Sequence, residues 1–171
     1  MTDTNLGGNG HGDPLANGQD TAPTVGVITQ YLKDFSFENP NAPGIYNAQG
    51  QPRYDVQYNI GAQQVADDVH EVVLKIDVRA EVGDQLCWVV DMSYAGLFGL
   101  RNVPEEHVQP FLLGEAPRLL FPFARRVVAD AVRDGGFPQL MLEPIDFASL
   151  YHDQLAQHQA QIGAGGETGQ A

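Results

Sequence analysis

The chain has 171 residues and a formal net charge of −13, because 22 acidic residues outnumber nine basic ones. A strongly acidic protein is repelled by phosphate backbones and anionic lipids, which argues against nucleic acid or a membrane surface as its main partner. The single cysteine excludes an intramolecular disulfide and a cysteine zinc cluster. A basic protein is the better electrostatic match.

Both ends of the chain are polar and contain few large apolar residues. Residues 1–23 are therefore predicted to form a disordered extension, and residues 158–171 a flexible tail. Residues 24–157 between them have the size of one domain. The sequence begins without a basic region followed by an apolar run, and no segment approaches the roughly 20 apolar residues of a membrane span, so the expected location is the cytoplasm.

The first predicted strand runs from about Val25 to Glu38 and ends before the prolines of KDFSFENPNAP. Side chains alternate between the two faces of a strand, so Asp34 and Glu38 share one face. The opposite face carries the apolar residues of the other parity, which are Val25, Val27, Tyr31, Phe35 and Phe37. The pattern predicts a strand with a buried side and an acidic side, and on alternation alone a solvated acidic surface is the more common interpretation.

Three further strands are predicted at residues 53–60, 72–82 and 86–92. The third alternates most clearly, and the Gly83-Asp84 pair predicts a tight turn into the fourth. The fourth, LCWVVDM, is apolar on both faces apart from Asp91, and Cys87 within it is interpreted as a buried structural thiol. The outer face of this strand is expected to be covered, for instance by another subunit, or offered to a partner.

The second half of the chain is predicted to be helical. Pro104 and two glutamates open a short helix that ends near Leu113, and a second helix ends at Gly135, with Pro122 either opening or kinking it. Residues 137–144 are expected to cross the surface in an extended form. Asp146 then caps a last helix, whose shared apolar face consists of Phe147, Leu150, Tyr151 and Leu155.

Catalytic motifs are not found. The five histidines lie in unrelated contexts without a known ligand spacing, and Cys87 has no histidine beside it in the sequence. The glycines do not form a G-x-x-x-x-G-K phosphate-binding pattern. We therefore expect neither enzymatic activity nor a metal or other cofactor.

Four ordered motifs resemble the SecB family of bacterial export chaperones: KDFSFENPNAP, VADDVHEVVLKIDV, LLFPFAR and FPQLMLEPIDF. The resemblance implies an α+β protomer with a four-stranded antiparallel sheet, helices on one side and assembly as a dimer of dimers. It further implies a holdase that works without ATP, keeps precursor proteins unfolded and delivers them to the SecA translocation ATPase.

The same resemblance assigns two sets of binding residues. The groove for unfolded clients would be lined by Val56, Tyr58, Phe137, Leu140, Leu142, Phe147 and Tyr151. The outer sheet face would dock the basic, zinc-bearing C-terminal segment of SecA through Asp34, Glu38, Val89 and Asp91. Many family members are expected to have a longer acidic residue at the last of these positions, so Asp91, together with the β-branched Val89, implies docking that is slightly weaker or differently tuned.

Two alternatives remain open from the sequence. The apolar residues of the last helix, such as Phe147, Leu150 and Tyr151, are as well explained as core as they are by client binding. The sheet and this helix could also enclose a pocket for a small hydrophobic ligand, which would make the chain a ligand-binding domain instead of a chaperone.

Overall fold

The computed structural model describes residues 21–164, which form one antiparallel sheet with helices packed on one face. The sheet has the strand order β1-β4-β3-β2. The strands are β1 (Thr24–Glu38), β2 (Arg53–Ala66), β3 (Val69–Val82) and β4 (Gln85–Arg101). The helices are α1 (Glu105–Pro110), α2 (Ala116–Asp134) and α3 (Phe147–Ala164), with a short 3₁₀ helix at Gly44–Asn47 and a π-helical segment at Phe111–Glu115. The predicted α+β class and four-stranded antiparallel sheet are confirmed.

The core lies between the inner face of the sheet and α2. On β3 the alternate residues Val72, Leu74 and Ile76 are fully buried, as the alternation predicted. The α2 residues that close the same core recur at helical spacing and are Leu120, Phe121, Ala124, Val128 and Val132. The residues of β3 between the buried positions are more exposed, so only one face of the sheet is covered by this chain's own helices.

Two irregularities in the pairing of β1 with β4 change the face of the sheet on which the β1 side chains lie. The register shifts between Val27 and Thr29 and again between Leu32 and Asp34. Each shift changes which residues share a face. Tyr31 therefore lies on the outer face, not with Phe35 and Phe37 as strict alternation predicted, and the two residues that broke the sequence pattern, Thr29 and Lys33, lie at these shifts.

The fourth strand extends nine residues beyond Met92, where the apolar run of the sequence stops. Its second half contains Gly96 and Gly99, which weaken the strand pattern in the sequence. Gly96 has a packing reason, since an added Cβ would lie 2.9 Å from Leu120 Cδ2 of α2. Close contact between sheet and helix therefore explains a glycine that the sequence alone suggests is a strand breaker.

The predicted break between the first two helices is wrong. The π-helical segment joins α1 to α2 directly, so the chain stays helical across Gly114 and Pro117. Pro122 lies inside α2 instead of opening it. At Gly114 a Cβ would lie 3.4 Å from Ala148 Cα, which shows how closely α3 packs against the π-helical segment.

The last helix begins as predicted. The Asp146 carboxylate accepts hydrogen bonds from the Ser149 backbone N–H at 3.1 Å and from the Ser149 hydroxyl at 2.7 Å, which is an N-cap arrangement. The helix continues to Ala164, past the predicted start of a tail at residue 158. The rest of that predicted tail, and residues 1–20 of the predicted extension, lie outside the described residues. None of the helices within residues 21–164 is long and apolar enough to cross a membrane.

Candidate functional site

An aromatic cleft of about 260 Å³ opens where the start of β2, the 3₁₀ helix and the segment after α2 meet. Tyr46 and Phe137 pack with ring centroids 5.3 Å apart on one side of it. Tyr54 and Trp88 pack at 6.0 Å, and Trp88 is only 2% exposed. The remaining lining residues are Ile45, Ala48, Gly50, Pro52, Val82, Cys87, Gly136 and Pro138. The cleft is mainly apolar and lies beside an edge strand of the sheet.

Hydrogen bonds hold the walls of the cleft together. The Tyr46 hydroxyl donates to the carbonyl oxygen of Gly135 at 2.7 Å, which ties the 3₁₀ helix to the end of α2. The Asn39 side-chain amide donates to the Tyr46 hydroxyl at 2.8 Å. The Tyr46 ring is therefore held in place in the cleft wall, and the cleft is present without a ligand.

Cys87 lies within the cleft lining but is not a reactive thiol. Its side chain is buried, and burial raises its pKa, which disfavours the thiolate. The prediction that Cys87 is buried is confirmed.

The residues expected to bind clients fall into two groups. Phe137 lines the aromatic cleft, while Val56, Tyr58 and Leu140 are half-buried against the core. Tyr151 is half-buried with its ring 5.5 Å from that of His152.

The second group consists of Leu142 and Phe147, which are too deeply buried to contact a client in this conformation. Leu142 is 4% exposed and Phe147 is 2% exposed. The reason is an aromatic cluster beneath α3, in which Phe147 packs edge-on against Tyr58 at 6.2 Å and lies 5.8 Å from Phe121. For Phe147 the core interpretation was therefore the right one, and its role is to seat α3.

Three cleft residues were missed in the sequence. Tyr46 lies in the short 3₁₀ helix, Tyr54 is the second residue of β2, and Trp88 lies in an apolar run that predicted only core. Nothing in local alternation connects them, because they come from different parts of the chain. The one available signal was the occurrence of tyrosines beside the proline-rich turn and at a strand start.

The acidic residues of β1 lie on the outer face of the sheet next to β4. Glu38 pairs with Val89 and Ser36 pairs with Asp91 in the antiparallel register. Paired residues share a face, so Asp34, Glu38, Val89 and Asp91 lie together on the face without helices. Phe35 and Phe37 are half-buried on the opposite face, as predicted.

The acidic face continues onto β3, a grouping that the alternation within single strands does not predict. Asp77 pairs directly with Asp91. Burial and the neighbouring Asp91 carboxylate raise the pKa of Asp77. The Lys75 ammonium lies 3.5 Å from Asp91 Oδ2 and 3.9 Å from Asp77 Oδ1. A shallow depression of about 280 Å³ adjoins this group, lined by Asp55, Gln57, Asp77, Val78, Arg79, Val89, Val90 and Asp91.

A buried carboxylate links the strands farther along the same face. Glu71 on β3 is 4% exposed and accepts hydrogen bonds from the Tyr31 hydroxyl at 2.6 Å and the Gln63 amide at 2.8 Å. Lys33 forms an ion pair with it at 2.7 Å. These donors lower the pKa of Glu71 to about 2, and the bond to Glu71 raises the pKa of Tyr31 to about 12.

The chain is an α+β protein with one open acidic sheet face and an aromatic cleft at the edge of the sheet. The family model described as preprotein translocase subunit SecB matches residues 18–158. The protein-export protein SecB of Rhizorhabdus wittichii is 63% identical over 151 residues, covering 88% of this chain and 91% of that protein. The corresponding protein of Sphingopyxis alaskensis is 58% identical and covers 91% of each chain.

A solved structure has the same fold. The SecB-like chaperone of Mycobacterium tuberculosis, in complex with a ChAD peptide from the HigA1 antitoxin, superposes with a TM-score of 0.61 at 18% identity. The match covers 71% of this chain and 90% of that one. The chain belongs to the SecB family and is a protein-export chaperone. SecB is a family of chaperones and not of enzymes, which agrees with the expectation that the chain has no catalytic activity.

Proposed function

We propose that this chain is a holdase that binds unfolded precursor proteins without ATP, keeps them competent for translocation and delivers them to SecA. It acts in the cytoplasm as a homotetramer, a dimer of dimers. The observation that carries the client-binding part is the preformed aromatic cleft beside an edge strand. Membership of the SecB family supports the export role.

The cleft suits individual side chains of an unfolded client. Its volume of about 260 Å³ has room for apolar side chains of a client. None of its lining residues belongs to α3, so it is not the pocket between the sheet and the last helix that the small-ligand alternative requires. Burying a client's apolar side chain against Tyr54 and Phe137 contributes about 25 cal/mol per Å² without demanding one exact shape. This tolerance is what binding of many sequences requires.

The client's main chain has a neighbouring surface to pair with. Within the described residues β2 pairs only with β3, so its other edge presents unpaired N–H and C=O groups. Pro52 and Tyr54 connect this edge to the cleft lining. A client would place apolar side chains in the cleft and align its backbone with β2, as in β-strand addition.

Delivery requires a second surface that stays free while the client is bound. Asp34, Glu38, Val89 and Asp91 lie on the outer face of the sheet, opposite the face that packs on the helices. An acidic surface with one apolar residue matches a basic partner segment such as the C-terminal segment of SecA. The separation of the two surfaces allows both partners to bind at once.

The test follows capture and transfer of an unfolded precursor. Trp88 is the only tryptophan and lies in the cleft lining, so its emission should shift when a precursor binds. Tyr54→Ala and Phe137→Ala should each weaken precursor binding about tenfold, because each removes a large part of the cleft wall. Ile162→Ala, which changes an exposed side chain on α3, is the control and should leave binding unchanged.

The docking arm of the experiment uses the charge reversal Asp34→Lys with Glu38→Lys. This variant should capture precursor normally but lose SecA binding, measured by pull-down without ATP. Normal SecA binding by the variant would contradict the docking assignment. The holdase proposal would be contradicted if the wild type kept no precursor unfolded. It would also be contradicted if the chain bound a small hydrophobic ligand saturably and had no effect on the refolding of precursors.

A further inference from the structure

We infer that the docking surface extends onto β3 through Asp77, and that Lys75 occupies this extension until a basic side chain of the partner replaces it. The inference rests on the proposed docking function of the outer sheet face. It adds one acidic contact and one competing residue that the predicted set of four does not contain.

The first observation is the direct pairing of two acids. Asp77 and Asp91 are opposite each other on β3 and β4. Like charges directly opposite across strands repel, which destabilises the sheet. The raised pKa of Asp77 has the same origin in part, since Asp91 contributes to it. A cation beside the pair would lower this repulsion.

Lys75 supplies that cation incompletely. Its ammonium lies 3.5 Å from Asp91 and 3.9 Å from Asp77, beyond ordinary hydrogen-bond distance, and all three side chains are more than 40% exposed. Two carboxylates and one ammonium leave one negative charge uncompensated. An exposed pair with such long contacts is weak, so another cation can replace Lys75 at small cost.

The other nearby cation is already engaged. Arg79 lies on the same face but its Nε donates to Glu81 at 2.6 Å, and Glu81 also pairs with Arg53 at 3.0 Å. Arg79 is therefore held toward Glu81. The residual charge at Asp77 and Asp91 is left for an external ligand.

The position of the pair fits a docking partner. Asp91 and Val89 already belong to the predicted docking set, and the depression of about 280 Å³ joins them to Asp77 and Asp55. A lysine or arginine entering this depression would contact Asp77 and Asp91 while its stem lies against Val89. The partner segment that fits this depression has an exposed basic side chain for the two carboxylates and an adjacent apolar group for Val89.

The test compares variants of the full-length chain with opposite expected effects. Lys75→Met keeps the length of the stem and removes the competing charge, so it should tighten binding of SecA about threefold. Asp77→Asn removes the acidic contact that Asp77 would offer to the partner, and Lys75 then pairs with Asp91 only. This variant should therefore bind SecA at least threefold more weakly. Affinity is measured by titration calorimetry at low and moderate salt.

Matched controls remove the same charges elsewhere. Arg101→Met lies at the far end of β4, roughly 30 Å from Asp91 at about 3.3 Å per residue, and Asp153→Asn lies on α3. Both should leave affinity unchanged at moderate salt, because Arg101 then lies well beyond the Debye length of about 10 Å and Asp153 is on α3, not on the outer sheet face. Circular dichroism and thermal unfolding verify that each variant is folded.

The outcomes separate this inference from the docking proposal. The inference is wrong if Lys75→Met binds SecA with the same affinity as Arg101→Met, or Asp77→Asn with the same affinity as Asp153→Asn. The docking proposal would still hold in that case if the double charge reversal at Asp34 and Glu38 abolishes SecA binding. If the double reversal leaves SecA binding intact, the docking proposal itself fails. Tighter binding with Lys75→Met and weaker binding with Asp77→Asn support the inference.

Discussion

At the scale of single residues, Glu71 shows how a charge can be buried without weakening a sheet. Its carboxylate receives donors from β1 through Tyr31 and Lys33 and from β2 through Gln63. Since β4 lies between β1 and β3, the bonds from Tyr31 and Lys33 cross a whole strand. A satisfied network of this kind fixes the position of β1, on which Asp34 immediately follows Lys33.

Glu71→Gln keeps the shape of the side chain and removes its charge. Hydrogen bonds to a charged group contribute about 1.5 to 3 kcal/mol, so we expect the variant to lose about 1 to 3 kcal/mol of unfolding free energy at pH 7. Urea denaturation measures the loss. Glu143→Gln changes an exposed carboxylate and should be neutral within about 0.5 kcal/mol.

The pH dependence of the same variant has a definite sign. Folding lowers the pKa of Glu71 from 4.5 to about 2, so the carboxylate stabilises the fold fully above pH 4.5 and progressively less between pH 4.5 and about 2. The difference in stability between the wild type and Glu71→Gln should therefore shrink as pH falls through this window. A difference that stays constant, or no loss at pH 7, would contradict the role of Glu71.

At the scale of elements, the end of α2 determines the shape of the cleft. A Cβ on Gly135 would lie 2.7 Å from Phe37 Cε1 and closer still to Cζ. Phe37 in turn lies with its ring 6.3 Å from that of Trp88 in a stacked arrangement. The absence of a side chain at Gly135 therefore lets β1 and α2 approach each other behind the cleft.

Gly135→Ala should force Phe37 out of its position and destabilise the protein by about 1 to 3 kcal/mol, the usual cost of overpacking. The backbone at Gly135 is right-handed helical, with φ −73°, so the cost comes from the contact alone. Thermal unfolding measures the stability, and Trp88 emission reports the change in the cleft. The matched control is Gly26→Ala on β1, where an added Cβ meets nothing within 4 Å and stability should hold.

The secondary structure could be predicted from the sequence where one face of a strand is buried and the other is exposed to solvent. The alternation at Val72, Leu74 and Ile76 gave β3 and its buried face correctly, and the N-cap at Asp146 gave the start of α3. Prediction failed where contacts with distant residues decide. Gly96 and Gly114 look like breakers, yet they are needed because α2 and α3 pack closely on them.

The same distinction applies to the candidate sites. The acidic residues of β1 could be grouped because they follow one another along a strand. The aromatic cleft could not, since Tyr46 of the 3₁₀ helix and Phe137, which follows α2, are far apart in the sequence and meet only in the folded chain. Asp77 was overlooked because its proximity to Asp91 depends on the register between β3 and β4, which alternation within each strand does not specify.

At the scale of the whole molecule, the described part of the chain leaves large apolar side chains exposed. Leu119 and Phe123 on α2 are 40% and 48% exposed, and four apolar residues of β1 are similarly open: Val25, Val27, Ile28 and Leu32. Six of the twelve exposed large apolar residues within residues 21–164 thus lie on α2 and the edge strand β1, and apolar surface on a helix and an edge strand is typical of contacts between subunits. This distribution supports the proposed dimer of dimers.

Phe123→Glu should dissociate the proposed tetramer, because a buried unpaired carboxylate at an apolar interface is costly. Light scattering at micromolar concentration should give the mass of four chains for the wild type and of fewer for the variant. Gln154→Glu introduces the same side chain on the exposed part of α3 and should keep the wild-type mass. A wild-type mass near one chain would contradict the tetramer. A Phe123→Glu variant with the wild-type mass would show that this part of α2 does not lie in the interface.

Consecutive residues of β4 face different parts of the molecule. Trp88 lies in the lining of the cleft, and Val89 lies on the outer face of the sheet. Deleting or inserting a single residue just before them would exchange the two faces, although composition and hydropathy would hardly change. A substitution at one of these positions changes one surface, whereas a length change just before them would alter both surfaces at once.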